Sequence, residues 1–175
     1  MSKIVIIGAG SAMFAKKLIG DLLTFNDLRL DTISLVDINE YKLEIMDRLV
    51  KRMIQQERKN ITVESTTDRK KVLPGADYVI CTIGVGGVEA YIQDLEIPDK
   101  YGLDQNVGDT IGPGGTFRGM RVIPVIIDIC KDMEELCPKA ILFNYTNPMA
   151  AVCMAIDRKT KVQTIGLCHS VQGTA

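Results

Sequence analysis

Short apolar runs rich in β-branched residues alternate with helical segments along the whole chain, and this alternation constrains the fold more than any other feature. Six runs are typical of buried strands: residues 3–7, 32–36, 61–65, 76–83, 139–143 and 162–167. Helical periodicity covers residues 13–25, 39–58 and 119–136, with Pro124 either in the first turn of the last helix or kinking it. Such alternation is typical of βαβ units with right-handed crossovers. The sequence therefore predicts an α/β fold: a Rossmann-type, doubly wound, mostly parallel sheet of six strands.

Composition and charge exclude several classes of partner. The 175 residues are 46% hydrophobic and 25% charged, which is the balance of an ordinary globular domain. A formal net charge of −1 and the lack of a lysine- and arginine-rich run argue against nucleic acid or an anionic membrane as a partner. No apolar stretch reaches the roughly 18 residues of a membrane span, and the N-terminus becomes glycine-rich too soon for a signal peptide.

The cysteines indicate a reducing compartment. Their number is odd and no CxxC spacing occurs, so we expect a cytoplasmic protein without a disulfide framework. Four of them lie in apolar settings that suit small buried side chains: Cys81, Cys130, Cys137 and Cys153. Only Cys168 has a chemically active neighbour, His169, the single histidine of the chain.

A glycine turn, Gly8-Ala9-Gly10-Ser11, follows the first predicted strand. The first glycine permits a tight turn and the second lets the backbone approach a pyrophosphate, while the next helix offers N–H groups and a positive partial charge. The third position of the full fingerprint is Met13 rather than glycine or alanine, so the match is incomplete. A plain strand-to-helix turn is the alternative.

Asp37 stands at the end of the second predicted strand, where an acid can accept hydrogen bonds from an adenosine ribose. A carboxylate there repels a 2′-phosphate, which favours NAD over NADP. The alternative role is an N-cap of the following helix, and both roles are compatible because Asn39 can cap that helix instead. Together with the glycine turn, Asp37 predicts dinucleotide binding.

Two more glycine-rich segments occur at positions that suit a site. Gly84 and Gly86 follow the fourth predicted strand, where the lack of side chains lets a cofactor approach closely, although a flexible turn is the alternative. Residues 108–115 combine glycines with polar side chains and lead directly into a helix, so they are expected to form a functional loop rather than a linker.

The last two motifs follow the fifth and sixth predicted strands. Asn144 and Asn147 have amides that suit a nicotinamide or a substrate hydroxyl, but asparagine before Pro148 also favours a turn, and the spacing leaves both open. Cys168 and His169 can bind metals and move protons. Neighbours on a strand point to opposite faces, so the residues alone favour a buried cysteine beside a surface histidine.

Four motifs in order resemble glycoside hydrolase family 4: the GAGS turn, the DTIGPGG loop at 109–115, the NYTNPM turn at 144–149 and CHSV at 168–171. The resemblance covers essentially the whole chain, and the CHSV form is similar to the α-galactosidase branch. It implies an NAD- and Mn²⁺-dependent α-glycosidase (or one using another divalent metal) that acts on a small α-linked saccharide. Such enzymes are exceptions to the two-carboxylate scheme of glycoside hydrolysis.

The reaction implied by the resemblance begins with hydride transfer from the C3 hydroxyl of the sugar to NAD⁺. A base then removes the C2 proton, the aglycone leaves from C1, water adds, and the ketone is reduced again. The metal holds the C2 and C3 oxygens as a Lewis acid. The net redox change is zero, so NAD⁺ is a recycled cofactor.

The resemblance also implies roles for particular residues. Cys168 matches the metal-binding cysteine, and His169 occupies a position where another branch has an acidic residue proposed as general acid. Asn147 matches an asparagine near the sugar and the nicotinamide, and Asp109 lies in the substrate loop. We therefore expect His169 and Asn147 to be catalytic, Asp109, Asn147 and His169 to bind substrate, and Cys168 to bind metal. The residues expected to bind the cofactor are Gly8, Gly10, Ser11, Asp37, Gly84, Gly86 and Asn147.

Members of this family are usually more than twice as long, and their second metal ligand and tyrosine base lie downstream. We therefore expect residues 1–175 to be an NAD-binding domain that is inactive alone, with the C-terminal domain missing, and the full-length protein to be a homo-oligomer. An NAD-dependent hydroxyacid dehydrogenase and a non-enzymatic nucleotide-binding module are the alternatives. Within the family, an α-glucosidase or an α-galacturonidase is the alternative.

Overall fold

The computed structural model describes residues 2–11, 14–25, 27–105 and 107–168. Within these ranges the strands are β1 (Ser2–Ile7), β2 (Leu30–Val36), β3 (Thr62–Thr66), β4 (Tyr78–Cys81), β5 (Ile141–Asn144) and β6 (Gln163–Gly166). The helices are α1 (Phe14–Thr24), α2 (Glu40–Gln56), α3 (Gly87–Asp99), α4 (Gly112–Leu136) and α5 (Met149–Lys159), with a short 3₁₀ turn at Arg69–Lys71.

The strands form one sheet in the order β3-β2-β1-β4-β5-β6, and every neighbouring pair is parallel. The predicted Rossmann-type fold is confirmed, with a sheet that is wholly parallel. The chain winds outward from β1 to β3 and then returns to β4, so the order reverses between β1 and β4. Ligands of open α/β sheets bind at the carboxyl ends of the strands beside such a reversal.

Both faces of the sheet are buried along the later residues of β1, β2 and β4, which explains the apolar runs there. The edge strands β3 and β6 are partly exposed. Ile4 and Ile6 of β1 pack in a core with α1 and α2, whereas Val5 and Ile7 pack in a second core with α4 and α5. The inward side of α2 follows helical spacing, with buried Leu43, Met46, Val50 and Ile54.

Helices α3 and α5 were not predicted, and α4 begins earlier than predicted. The buried residues of α3 are Asp94 and Pro98, while Val88 and Ile92 are exposed, so its apolar pattern does not mark the inward side. Helix α4 starts at Gly112, inside the predicted loop, because a proline fits the first helical turn, where no N–H partner is lost. Within the described residues, no helix combines the length and apolarity needed to cross a membrane.

Candidate functional site

The glycine turn after β1 is held between the ends of two neighbouring strands. The N–H groups of Gly8 and Ala9 both donate to the carbonyl oxygen of Val36, at 2.9 and 3.0 Å. Gly8 has a φ of 90°, and a Cβ there would lie 2.8 Å from the carbonyl carbon of Thr82. The Thr82 hydroxyl donates to the Gly8 carbonyl oxygen at 3.1 Å. Only glycine fits this position, because any side chain would meet backbone atoms.

Asp37 joins the same turn from the end of β2. Its Oδ2 accepts from the N–H of Gly10 at 2.7 Å, and its Oδ1 accepts from the N–H of Asn39 at 2.9 Å. Asn39 caps α2, since its side-chain oxygen accepts from the N–H of Lys42 at 3.0 Å. An ionised carboxylate has about four acceptor positions, so Asp37 can still accept hydrogen bonds from a ribose.

Ser11 begins α1. Its carbonyl oxygen accepts from the N–H of Ala15 at 2.9 Å, and its Oγ accepts a long bond of 3.4 Å from the N–H of Phe14. Met13, the third position of the fingerprint, lies outside the described residues. Ser11 thus accepts from N–H groups of the first residues of α1, the helix end at which a phosphate is favoured.

A second glycine turn follows β4 and leads into α3. A Cβ on Gly84 would meet nothing within 4 Å, whereas Gly86 has a φ of 84° and a Cβ on it would lie 2.5 Å from that of Ala90. The Nε of Arg121 lies 3.5 Å from the point where this Gly86 Cβ would be. This nitrogen is one of the buried polar atoms, among the described residues, that lack a hydrogen-bond partner. A glycine turn that includes open backbone at Gly84 and an orphaned donor near Gly86 suits an anionic or polar ligand.

Asn144 holds the turn after β5. Its side chain is buried, accepts from the N–H of Thr146 at 3.1 Å and donates to the carbonyl oxygen of Thr146 at 3.0 Å. The Thr146 hydroxyl in turn donates to the carbonyl oxygen of Ile83 at 3.3 Å. Burial raises the pKa of the neighbouring Cys81 thiol to about 11, so this sulfur stays protonated. The turn interpretation therefore applies to Asn144.

Asn147, at the end of this turn, faces the glycine-rich loop instead. Its Nδ2 donates to Oδ2 of Asp109 at 3.0 Å, and the other oxygen of Asp109 accepts from the hydroxyl of Thr110 at 2.7 Å. Because an ionised carboxylate only accepts, the Asn147 amide must turn its nitrogen toward Asp109. The Asn147 Oδ1 is then the atom left to accept a hydrogen bond from a ligand. The peptide bond between Asn147 and Pro148 is cis.

Arg118 on α4 supports the backbone of this asparagine. Its Nε donates to the carbonyl oxygen of Asn147 at 3.2 Å, and its guanidinium lies 5.9 Å from the centre of the Tyr91 ring. Beside them, an open groove of about 520 Å³ separates the start of α4 from the start of α5. Its lining residues include Thr110 and Pro148, which follow Asp109 and Asn147 in the chain.

Cys168 follows β6, and its side chain is exposed. The preceding N–H, of Leu167, donates to the carbonyl oxygen of Asn144 at 2.9 Å, so β6 ends beside the turn of β5. Over the described ranges, no three side chains of His, Cys, Asp or Glu are grouped closely enough to hold a metal ion. His169, expected to be catalytic and substrate-binding, lies outside the described residues.

A model of the family 4 glycosyl hydrolases matches residues 3–175. The chain belongs to glycosyl hydrolase family 4. It is 48% identical over 171 residues to an α-galactosidase of Rhizobium meliloti and 46% identical over 173 residues to one of Bacillus subtilis. These alignments cover 97% and 98% of this chain but only 35% and 40% of the two relatives.

A solved structure supports the family assignment of this glycosyl hydrolase chain. The 6-phospho-β-glucosidase of Thermotoga maritima, solved with manganese, NAD⁺ and glucose-6-phosphate, superposes with a TM-score of 0.90 at 27% identity. The superposition covers 99% of this chain and 41% of that one. The family suggested by the four motifs is therefore confirmed.

Sequence reasoning missed several residues of this family 4 site. Arg118, Tyr91 and the pair formed by Asp94 and Arg121 belong to no recognisable motif. No sequence signal distinguishes Asp94, because its helix also carries Glu89, Glu96 and Asp99. Only the structure shows that Asp94 is 3% exposed. A buried carboxylate requires a partner, but the sequence does not say which one.

Proposed function

We propose that this chain is the NAD-binding domain of an NAD- and Mn²⁺-dependent α-glycosidase, specifically an α-galactosidase acting on a small α-linked saccharide. The observation that carries the proposal is the pair of Asp109 and Asn147, which presents an amide oxygen at the same edge of the sheet as the glycine turn. Identity of 46–48% to two α-galactosidases supports the choice of sugar.

The residues at the switch between β1 and β4 fit NAD. Gly8 and Gly10 form a compact turn at the start of α1, beside Ser11, where phosphate oxygens meet helix N–H groups. Asp37 accepts from ribose hydroxyls, and its charge opposes a 2′-phosphate. Gly84 leaves backbone open in the turn after β4, and the orphaned Arg121 Nε near Gly86 can donate to a polar atom of the cofactor.

Asn147 and Asp109 are proposed to orient the sugar. When bound, NAD⁺ supplies a reversible hydride acceptor, so oxidation at C3 and the final reduction leave no net redox change. Asn147 Oδ1 accepts from a sugar hydroxyl or from the nicotinamide amide, while its nitrogen remains on Asp109. Asp109 retains lone pairs for a second sugar hydroxyl. The adjoining groove has the volume of a small-ligand site.

The described residues do not by themselves fit a manganese site. Cys168 offers one thiolate ligand, and no described group of three donors completes it. These residues therefore support no reaction step through the metal. Cys168 as one manganese ligand and His169 as a general acid stay proposals that rest on the family, as does homo-oligomerisation of the full-length protein.

Three measurements test this function. Calorimetric titration of the chain with NAD⁺ should give saturable binding, and absence of binding would overturn the cofactor assignment. The chain alone should not hydrolyse p-nitrophenyl α-galactoside, because its described residues lack a complete metal site. It should also accumulate no NADH with 2-hydroxy acids, whereas a hydroxyacid dehydrogenase would.

The sugar and the elimination route need an active protein. A chimera in which this chain replaces the matching segment of the Bacillus subtilis α-galactosidase supplies one. Its hydrolysis of α-galactosides should require NAD⁺ and a divalent metal, and deuterium at C2 or C3 should slow turnover. If both labelled sugars were turned over as fast as the unlabelled sugar, the proposed route would be contradicted. A preference for an α-glucoside or α-galacturonide would reassign the sugar.

A further inference from the structure

We propose that Gln105 is a positioning residue, which sets the place of Asp109 and thereby the orientation of the Asn147 amide. The functional part of this inference rests on the proposed function, because it matters only if Asn147 contacts the sugar or the cofactor. Gln105 contacts neither Asp109 nor Asn147 through the hydrogen bonds of its own side chain, and it acts through the loop between α3 and α4.

The fixed point of this arrangement is an ion pair between α3 and α4. Asp94 is 3% exposed, and the two nitrogens of the Arg121 fork donate to its two oxygens at 2.9 and 2.5 Å. A bidentate pair with one fully buried partner holds both helices in one geometry. The hydrogen bonds that Arg121 donates to Asp94 also raise the pKa of Arg121, so the guanidinium stays charged.

Gln105 connects this fixed point to the first turn of α4. Its Nε2 donates to the carbonyl oxygen of Asp94 at 3.2 Å, and its Oε1 accepts from the N–H of Gly114 at 3.2 Å. One side-chain amide thus joins an acceptor on α3 to a donor at the start of α4. The N–H of Gly114 belongs to the first helical turn, whose donors have no partner inside the helix.

The loop that carries Asp109 lies between these two helices with no spare room. A Cβ on Gly108 would lie 2.5 Å from a methyl carbon of Leu95, and one on Gly114 would lie 2.7 Å from the carbonyl oxygens of Asp94 and Gly108. Gly115 is as tightly placed, since its Cβ would lie 2.6 Å from the carbonyl carbon of Thr110. Displacing the start of α4 from α3 therefore displaces residues 108–110.

The position of Asp109 determines whether the Asn147 amide offers a hydrogen-bond donor or an acceptor to a ligand. Asp109 forces the nitrogen of the Asn147 amide toward itself, which leaves the oxygen for a ligand. If Asp109 withdraws, the amide can rotate by a half-turn and present a donor where an acceptor stood. A sugar hydroxyl held as donor to Asn147 would then lose its partner.

The test follows the Asn147 side-chain amide by nuclear magnetic resonance of the nitrogen-15-labelled chain, assigned by its disappearance in Asn147→Asp. Gln105→Met keeps the volume of the side chain but removes both hydrogen bonds. We expect solvent exchange of the Asn147 amide protons to accelerate at least about fivefold, as for loss of one hydrogen bond of ~1 kcal/mol. Gln93→Met makes the same change at an exposed position of α3 and should leave the exchange rate unaltered.

Unchanged exchange in Gln105→Met, or equal acceleration in Gln93→Met, would overturn the proposal. If Gln105→Met does not fold, as judged by the backbone amide signals of β1 and β2, the Gln105→Glu variant is used to test the proposal instead. That variant keeps the acceptor for Gly114 but sets an oxygen against the Asp94 carbonyl, so exchange should again accelerate, and an unchanged rate would count against positioning. The sample contains neither NAD⁺ nor sugar, so this experiment can fail or succeed independently of the tests of the proposed function.

Discussion

The carboxylate of Asp37 lies directly against the second glycine of the turn after β1. The N–H of Gly10 donates to Asp37 Oδ2 at 2.7 Å, and a Cβ built on Gly10 would also lie 2.7 Å from that oxygen. The glycine and the acid are therefore one unit, although 27 residues separate them. A side chain at position 10 and a carboxylate at position 37 cannot both keep their places.

Gly10→Ala should weaken NAD⁺ binding. The new methyl group pushes Asp37 off the Gly10 N–H and away from the ribose, and we expect the dissociation constant to rise about tenfold, or ~1.4 kcal/mol. Calorimetric titration measures the change. Gly20→Ala, inside α1, is the matched control, because a Cβ there makes only an ordinary 3.6 Å contact with Met53 of α2. Equal effects of both substitutions would show that Gly10 has no special role.

Asp37→Asn should reduce the preference for NAD⁺ over NADP⁺. The neutral amide keeps one acceptor oxygen but no longer repels a 2′-phosphate, so the ratio of the two dissociation constants should fall severalfold. Asp27→Asn makes the same change of net charge at an exposed position and should leave the ratio as it is. If the ratio of the two dissociation constants is unchanged in Asp37→Asn, the Asp37 carboxylate does not determine the preference for NAD⁺ over NADP⁺.

Asp94→Ala should lower the free energy of unfolding by about 3 kcal/mol, because Arg121 is left charged and largely enclosed without its partner. Urea unfolding followed by circular dichroism provides the value. Asp99→Ala removes an exposed carboxylate from the end of the same helix and should change stability by less than about 0.5 kcal/mol. A small effect of Asp94→Ala would mean that the ion pair contributes little.

Asp132 should make stability depend on acid pH. Burial pushes its pKa upward, but Lys70 and Arg69 outweigh this by donating to the carboxylate, so the pKa lies below its ordinary value. The resulting stabilisation is fully present above the unfolded aspartate pKa of about 3.9 and is lost as the pH falls through the lower folded value.

In Asp132→Asn, the fall of the urea midpoint between pH 5 and pH 2.5 should therefore be shallower than in the parent chain. Asp128→Asn is the control, since Asp128 meets the same Arg69 guanidinium but its side chain is 69% exposed. Parallel curves for the parent and Asp132→Asn would assign the acid sensitivity to other carboxylates.

The regular part of the fold was predictable because strands and helices have periods that appear in the sequence itself. The strand positions and the parallel sheet follow from alternating apolar runs, and the cap of α2 follows from Asn39. Helix α3 was missed for a physical reason: it buries Asp94 and exposes Val88 and Ile92, so its inward side carries no apolar signature.

One part of the candidate site was also predictable from the sequence, and another part was not. The glycine turn directly follows β1, and Asp37 directly follows β2. Because these strands are parallel neighbours, the turn and the acid meet at the same edge of the sheet. The contact between Asp109 and Asn147 does not follow in this way, because it depends on how α4 is placed against α3 and α5.

By itself, the sequence determined the doubly wound architecture, the glycine turn after β1 and the family, since these depend on local periods and on motifs in a fixed order. Only the tertiary structure decided that the Asn144 amide serves the turn, that the Asn147 amide contacts Asp109, and that Gln105 joins α3 to α4. Hydrogen-bond partners far apart in the chain are chosen by the rotation and spacing of packed helices, which no local pattern encodes.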